Sequence, residues 1–169
     1  MLYNLKIKVT SPWLGDIRRA KDTHRRFQRG NTPDILAFDL PRLYWTLEEA
    51  RDALKLPHVD IKTIRMEEGF RSPTLTSYRR RFSSRQGTQK QEDFFEAIRE
   101  NTLLNMQVLV TRQMTQHTSA SKPPTQEELS QIFKFVGAML GLSPWGGHFG
   151  YGRFELISLE PHEHSSAMG

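Results

Sequence analysis

Apolar and polar positions alternate from the first residues of the chain. Tyr3, Leu5, Ile7 and Val9 interleave with Leu2, Asn4, Lys6 and Lys8, a period of two that predicts a half-buried strand over Leu2–Val9, ended by Ser11-Pro12. Residues 13–42 keep no clean period and contain Gly15, Gly30, Asn31 and Pro33, so they read as a long loop with at most one helical turn. Thr46 then stands three residues before Glu49, the spacing of a capping box. Leu47, Ala50, Ala53 and Leu54 follow on one face of a predicted helix that stops before Pro57. A second strand is expected over 59–66, where Val59, Ile61 and Thr63 alternate with Asp60, Lys62 and Ile64.

The second half repeats the theme around an insertion. Residues 67–101 are rich in Gly, Ser, Thr and Arg and end in a short helical pattern at 91–99, where Phe94, Phe95 and Ile98 would form the apolar face that seats the insertion. A well-buried strand is expected over 103–111, then a polar linker over 113–124. Thr125 and Glu128 form a second capping box ahead of the stripe Leu129, Ile132, Phe133, Val136, Met139 and Leu140, which Gly141 ends. A glycine-rich loop runs to Gly152, and 153–159 alternates as a last strand. The order strand, helix, strand, strand, helix, strand predicts an α+β domain of the ferredoxin-like βαββαβ (RRM-like) kind, a four-stranded antiparallel sheet with both helices on one face and a long Arg-rich insertion between strands 2 and 3. It would be a single domain over 1–160 with insertions at 11–44 and 67–101, and 161–169 would be a flexible tail. The other sheet face would need loops, a partner or a ligand to cover it.

Composition narrows the function. The 169 residues are 37% hydrophobic and 25% charged, as in a globular domain, and no apolar run reaches the roughly 20 residues of a membrane span. No membrane partner is expected, and the start MLYNLKIKVT has no signal-peptide core. There is no cysteine, which excludes thiolate metal sites and a cysteine nucleophile and fits a cytoplasmic location. HExxH and paired-carboxylate motifs are absent too, and His162 and His164 sit in the tail, so no metal and no cofactor are expected.

The net charge is +5, and its distribution says more than its size. Arg18, Arg19, Lys21, Arg25, Arg26 and Arg29 face only Asp22, while Arg71, Arg79, Arg80, Arg81, Arg85 and Lys90 occur in a stretch with no acid. Arginine forks suit phosphate oxygens and stack on bases. Trp13 and Phe27 near the first cluster, and Phe70, Tyr78 and Phe82 near the second, supply candidate stacking rings. Basic grooves with interleaved aromatics hold single strands without reading their sequence. Solvated surfaces more often mix both signs. Trp45, just before the Thr46 cap, reads instead as a core anchor.

The segment GAMLGLSPWGGHFGYGRFE, with Gly141, Gly146, Gly147, Gly150 and Gly152 between a helix and a strand, is not a nucleotide loop, because it follows a helix and lacks the Gly-Lys-Ser/Thr ending. Together with the GYGRFELISLE strand it resembles the C-terminal signature of the RAMP superfamily, the RNA-binding subunits and processing nucleases of CRISPR effector complexes. Similar tails are known in small phage-encoded proteins. The signature covers about a ninth of the chain, and the spacer SPWGGH departs from it in lacking basic residues. The resemblance implies an RRM-related domain that binds crRNA or another single strand. Gly146, Gly147, His148, Gly150 and Arg153 would match the loop lying against RNA, and Arg71 to Arg85 would fall in a thumb-like hairpin. Partners would be single-stranded RNA or DNA, and copies of the chain or other ribonucleoprotein subunits.

Three functions follow. The first is a non-catalytic, sequence-tolerant binding subunit. The second is a metal-independent, repeat-processing endoribonuclease with His24, beside Arg25 and Arg26, or His148 as general acid or base for the 2′-hydroxyl. The third is an interaction module, of the kind a phage directs at host nucleic-acid machinery.

Overall fold

The computed structural model describes residues 1–15, 17–18, 24–67, 69–71, 74–83, 90–112, 121–143, 146 and 149–163; of residues 17–18, 81–83 and 90–92 it describes the backbone. Strand β1 (Leu2–Val9) forms where the alternation places it, with Tyr3, Leu5, Ile7 and Val9 buried on one face. It is flanked by β10 (Leu103–Val110) and β11 (Phe154–Pro161), and β10 in turn pairs with β6 (Ile64–Glu67). Every pairing is antiparallel and the order is β11-β1-β10-β6. The expected strands at 103–111 and 153–159 are thus present to within two residues at each end.

Two helices cover the buried face of this sheet and contact each other. Helix α2 (Gln126–Phe135) starts as its capping box dictates: the Thr125 side chain accepts from Glu128 N–H, and the Glu128 carboxylate accepts from Thr125 N–H at 2.9 Å. A π-helical turn, Val136–Leu140, ends it at Gly141, whose φ is +74°. Gly137 in that turn lies so close to Phe154 that an added Cβ would stand 2.2 Å from its carbonyl oxygen. Leu129, Ile132, Phe133 and Val136 join the β1, β10 and β6 residues in one core. Each such side chain contributes roughly 1.5–3 kcal/mol by leaving water.

Helix α1 corrects the sequence reading. It spans Leu40–Ala53, beginning after Asp39 with a proline in its first turn, and not at Thr46. Thr46 lies inside the helix, buried, with its hydroxyl donating to the Arg42 carbonyl at 2.9 Å. The Thr-x-x-Glu spacing is local, whereas Pro41 has its φ set for a first turn and has no N–H to leave unpaired. Leu43, Leu47 and Ala50 turn to the core, which leaves Trp45 on the outer side, 75% exposed and no core anchor.

The reading of 59–66 is also corrected. Asp60 accepts from Lys62 N–H at 3.0 Å and caps a turn of 3-10 helix, Ile61–Thr63, so that the strand begins only at Ile64.

The described residues of the first insertion are not the loop expected, and both insertions form strands. The first folds as β2 (Trp13–Leu14), β3 (Ile17–Arg18), β4 (His24–Arg26) and β5 (Ile35–Leu36); the second as β7 (Phe70–Arg71), β8 (Thr76–Ser83) and β9 (Lys90–Ile98). The helix expected at 91–99 is therefore a strand. Asp93, Phe95 and Ala97 are buried, so Phe94 and Phe95 point to opposite faces and not to one helical stripe. β9 is the spine of a second sheet: β8 pairs along it antiparallel, β4 pairs parallel, β2 pairs antiparallel near its end, and β3 pairs with β4. β5 and β7 form a separate two-stranded ribbon.

Candidate nucleic-acid interface

Register decides which arginines share a surface. On β9, Phe94 lies opposite Arg79 of β8 and beside His24 of β4, while Phe95 lies opposite Tyr78 and beside Arg25. Alternation therefore puts His24, Arg26, Arg79 and Phe94 on one face and Arg25, Arg80, Tyr78, Asp93 and Phe95 on the other. Segments far apart in sequence meet here, because β4 and β8 flank the same strand.

The first face looks outward. His24, Arg26 and Arg79 are exposed and Phe94 is half-buried. The His24 ring stacks on Phe94, with centroids 5.2 Å apart and planes 20° from parallel. The result is a row of cation, aromatic ring, imidazole and cation across three strands. Arg81 lies opposite Glu92 and Lys90 opposite Ser83 further along the same ladder.

The second face turns inward and is held together by charge and aromatic contacts. Arg25 donates from Nε to Asp93 at 3.1 Å and lies 5.7 Å over the Phe95 ring. Asp93 is only 3% exposed. Glu96 accepts from Phe27 N–H at 2.9 Å and from Arg29 at 2.7 Å. These two carboxylates seat the β4 segment on the hairpin, and the acid-free stretch from Arg71 to Lys90 ends just before them. Arg25 and Arg29 are held by the protein's own acids. That corrects their expected role as open phosphate ligands.

The glycine-rich loop meets this inner face. Arg80 lies 4.6 Å over Phe149 and 5.2 Å over Tyr151, and Tyr78 and Tyr151 approach hydroxyl to hydroxyl at 3.3 Å. Burial, and then the hydrogen bond with Tyr78, push the Tyr151 hydroxyl above its ordinary pKa. Phe149 keeps 57% of its surface exposed beside Arg80. The loop is pinned from below. Ser143, fully buried, donates to the Leu14 carbonyl and accepts from Leu14 N–H, both at 3.2 Å. Gly152, at φ +70°, leaves no room for a Cβ, which would stand 2.3 Å from Ser143 N.

The remaining expected site residues divide clearly. Trp13 is 5% and Phe27 9% exposed, packed together with Phe38 and Phe70, so neither offers a face to a base; the stacking role expected of them is corrected. Tyr78 is half-buried against Tyr151. Arg71 is exposed on the ribbon and lines a groove over the open face of the first sheet with Asn4, Lys6, Glu67, Gln107 and Glu160, apart from the arginine row. Gly146 is buried and donates to the Ser143 carbonyl at 2.7 Å. Arg153 is half-buried, and its N–H donates to the Ser11 hydroxyl at 2.8 Å. Arg18 is described by its backbone pairing with Arg25, and Phe82 by its pairing with Gln91. Arg19, Arg85, Gly147 and His148 lie outside the described residues. One ring of the outward row differs from the sequence reading: the adjacent pair Phe94-Phe95 suits a helix as well as a strand, and the burial of Asp93, Phe95 and Ala97 makes it a strand.

Among the described residues no cluster of His, Asp and Glu could hold a metal ion, and no helix is long and apolar enough to cross a membrane. No protein-family model and no curated protein matches the sequence. Among solved structures the chain is similar to one in "Cryo-EM structure of the Type III-B Cmr-beta bound to cognate target RNA", with a TM-score of 0.54 and 7% identity, over 94% of this chain. The chain spans 59% of that neighbour's length.

Proposed function

We propose that the protein is a RAMP-type binding subunit for single-stranded nucleic acid, RNA in the first instance. The strand would lie along the outward face of the second sheet. The observation that carries the reading is the row Arg79, Phe94 and His24 in register across β8, β9 and β4, with Arg26 two residues beyond His24. Guanidinium groups from both sides would neutralise phosphates, and the Phe94–His24 stack would offer an aromatic surface to bases of any sequence.

Three further observations support it. The sheet order β11-β1-β10-β6, renumbered for the four strands of that sheet, is fourth, first, third, second. This is what a ferredoxin-like βαββαβ domain requires. The β8–β9 hairpin stands where the RAMP resemblance implies a thumb. The structural neighbour comes from a Cmr assembly described as bound to target RNA. Other subunits of a ribonucleoprotein, copies of this chain among them, are the further partners proposed, in the cytoplasm.

The test is fluorescence anisotropy with a labelled single-stranded RNA and its DNA counterpart. Arg26→Ala/Arg79→Ala should weaken binding by roughly tenfold or more with little change in melting temperature, since both side chains are exposed. Unchanged affinity in that variant overturns the assignment. A second reading rests on one observation, the exposed His24 on the same face as Arg26 and Arg79. If the protein cleaves RNA, cleavage should persist in chelator, leave a 2′,3′-cyclic phosphate and disappear in His24→Ala.

A further inference from the structure

Helix α1 presents a face that neither the core nor the arginine row uses. Its inward positions, Leu43, Leu47 and Ala50, are buried, which turns 45, 48, 49 and 52 to solvent. Trp45 stands there with 75% of its surface exposed, and among the described residues no aromatic ring stacks on it. Indole is the largest apolar side chain and is enriched where one protein anchors another. Glu48 and Glu49, both exposed, follow at i+3 and i+4 and adjoin Trp45 on the helix surface, as Pro41 and Arg42 do on its N-terminal side. With Arg42, Thr46 and Asp52 these residues line a shallow groove. Asp52 is engaged by Arg51 at 2.8 Å, and the groove's other carboxylates are those of Glu48 and Glu49.

We infer that the outward face of α1 docks a cationic protein segment, with an arginine or lysine side chain lying over Trp45 and its charge held by Glu48 and Glu49. An indole face attracts a cation through its quadrupole, guanidinium more than ammonium because it also stacks flat. The two carboxylates lining the same groove complete the match for a forked cation. The same carboxylates oppose phosphate, which sets this face apart from the arginine row and favours protein over nucleic acid as its occupant. The inference stands whether or not the second sheet binds RNA.

The probe is a labelled Gly-Ser peptide carrying three arginines, with twins in which lysine or glutamine replaces them, titrated into the full chain at low salt. The arginine peptide should bind, the lysine twin several-fold more weakly and the glutamine twin not at all. Trp45→Ala and Glu48→Gln/Glu49→Gln should each weaken the arginine peptide by about tenfold, consistent with a cation–π contact and a charge pair. Trp45→Phe should keep part of the affinity. The melting temperature checks that each variant folds, which exposed positions allow. Equal binding of the arginine peptide to wild type and Trp45→Ala, or no binding to wild type, overturns the inference. So does a parallel loss of RNA binding in Trp45→Ala, which would make the face part of the nucleic-acid surface instead.

Discussion

The two sheets solve the same problem by different means. The first buries aliphatic and aromatic side chains from β1, β6, β10 and β11 under two helices, and β1 and β10 alternate cleanly because one face is dry. The second is assembled from two insertions around β9, has a small apolar cluster of Leu14, Phe95 and Ala97, and relies on Asp93 and Glu96 to hold arginines in place. Charge thus does two jobs within one sheet. Inward arginines fasten the strands, and Arg26 and Arg79 stand on the exposed face. An arginine-rich stretch is therefore not a uniform binding surface; strand alternation divides it.

The sharpest way to break this contrast is to attack each sheet at its own support. Phe133→Ala, at a side chain with no exposed surface, should cost about 3–5 kcal/mol in denaturant unfolding, because the cavity lies in the core that carries the fold. A loss below 1 kcal/mol would mean that the first sheet is not the main source of stability. Asp93→Ala leaves the half-buried Arg25 without its carboxylate and should cost roughly 2–3 kcal/mol of local stability. Amide exchange should then accelerate in His24–Arg26 while β1 stays protected. Acceleration spread evenly over both sheets would deny the second its separate support.

The smallest effect is on the helix cap. The Thr125 N–H, and then His58 and Lys122, hold the Glu128 carboxyl at about 2 against an ordinary 4.5. Its contribution is whole above pH 4.5 and disappears as pH falls towards 2, because the unfolded chain takes up the proton first. Glu128→Gln should cost about 1 kcal/mol at pH 7, and the gap to wild type should close on titration to pH 2. A gap independent of pH would place the effect in packing rather than charge.

The first sheet was legible because burial on one face writes a period of two into Leu2–Val9 and 103–111, and because the Thr125 capping box is satisfied by its own neighbours. The second was not. The segment 90–98 carries Asp93 at a buried position, and two adjacent phenylalanines suit a helix as well as a strand until a partner fixes the period. β2, β3, β4 and β5 are two or three residues long, too short for any pattern to emerge. That β4 pairs with β9 (His24 beside Phe94) and β2 with the far end of the same strand (Trp13 opposite Ile98) is a tertiary fact. Trp45 was misplaced for the same reason: the start of α1 was set by Pro41 and by packing of Leu43, not by the nearest cap signal. The arginine clusters were visible, but their separation into Arg25 and Arg29 against Arg26 and Arg79 needed the register.

The central claim is that single-stranded nucleic acid lies on the arginine row and not on the open face of the first sheet, where Lys6 lines a groove. The salt dependence of binding decides it. Arg26→Ala/Arg79→Ala and Lys6→Ala/Lys8→Ala remove equal charge, so long-range attraction falls alike in both. The account predicts that the slope of log affinity against log salt shrinks by about 1.4 units in the arginine variant and stays near wild type in the lysine variant. A reversed outcome, with the lysine pair taking the slope and the arginine pair leaving it intact, would contradict it.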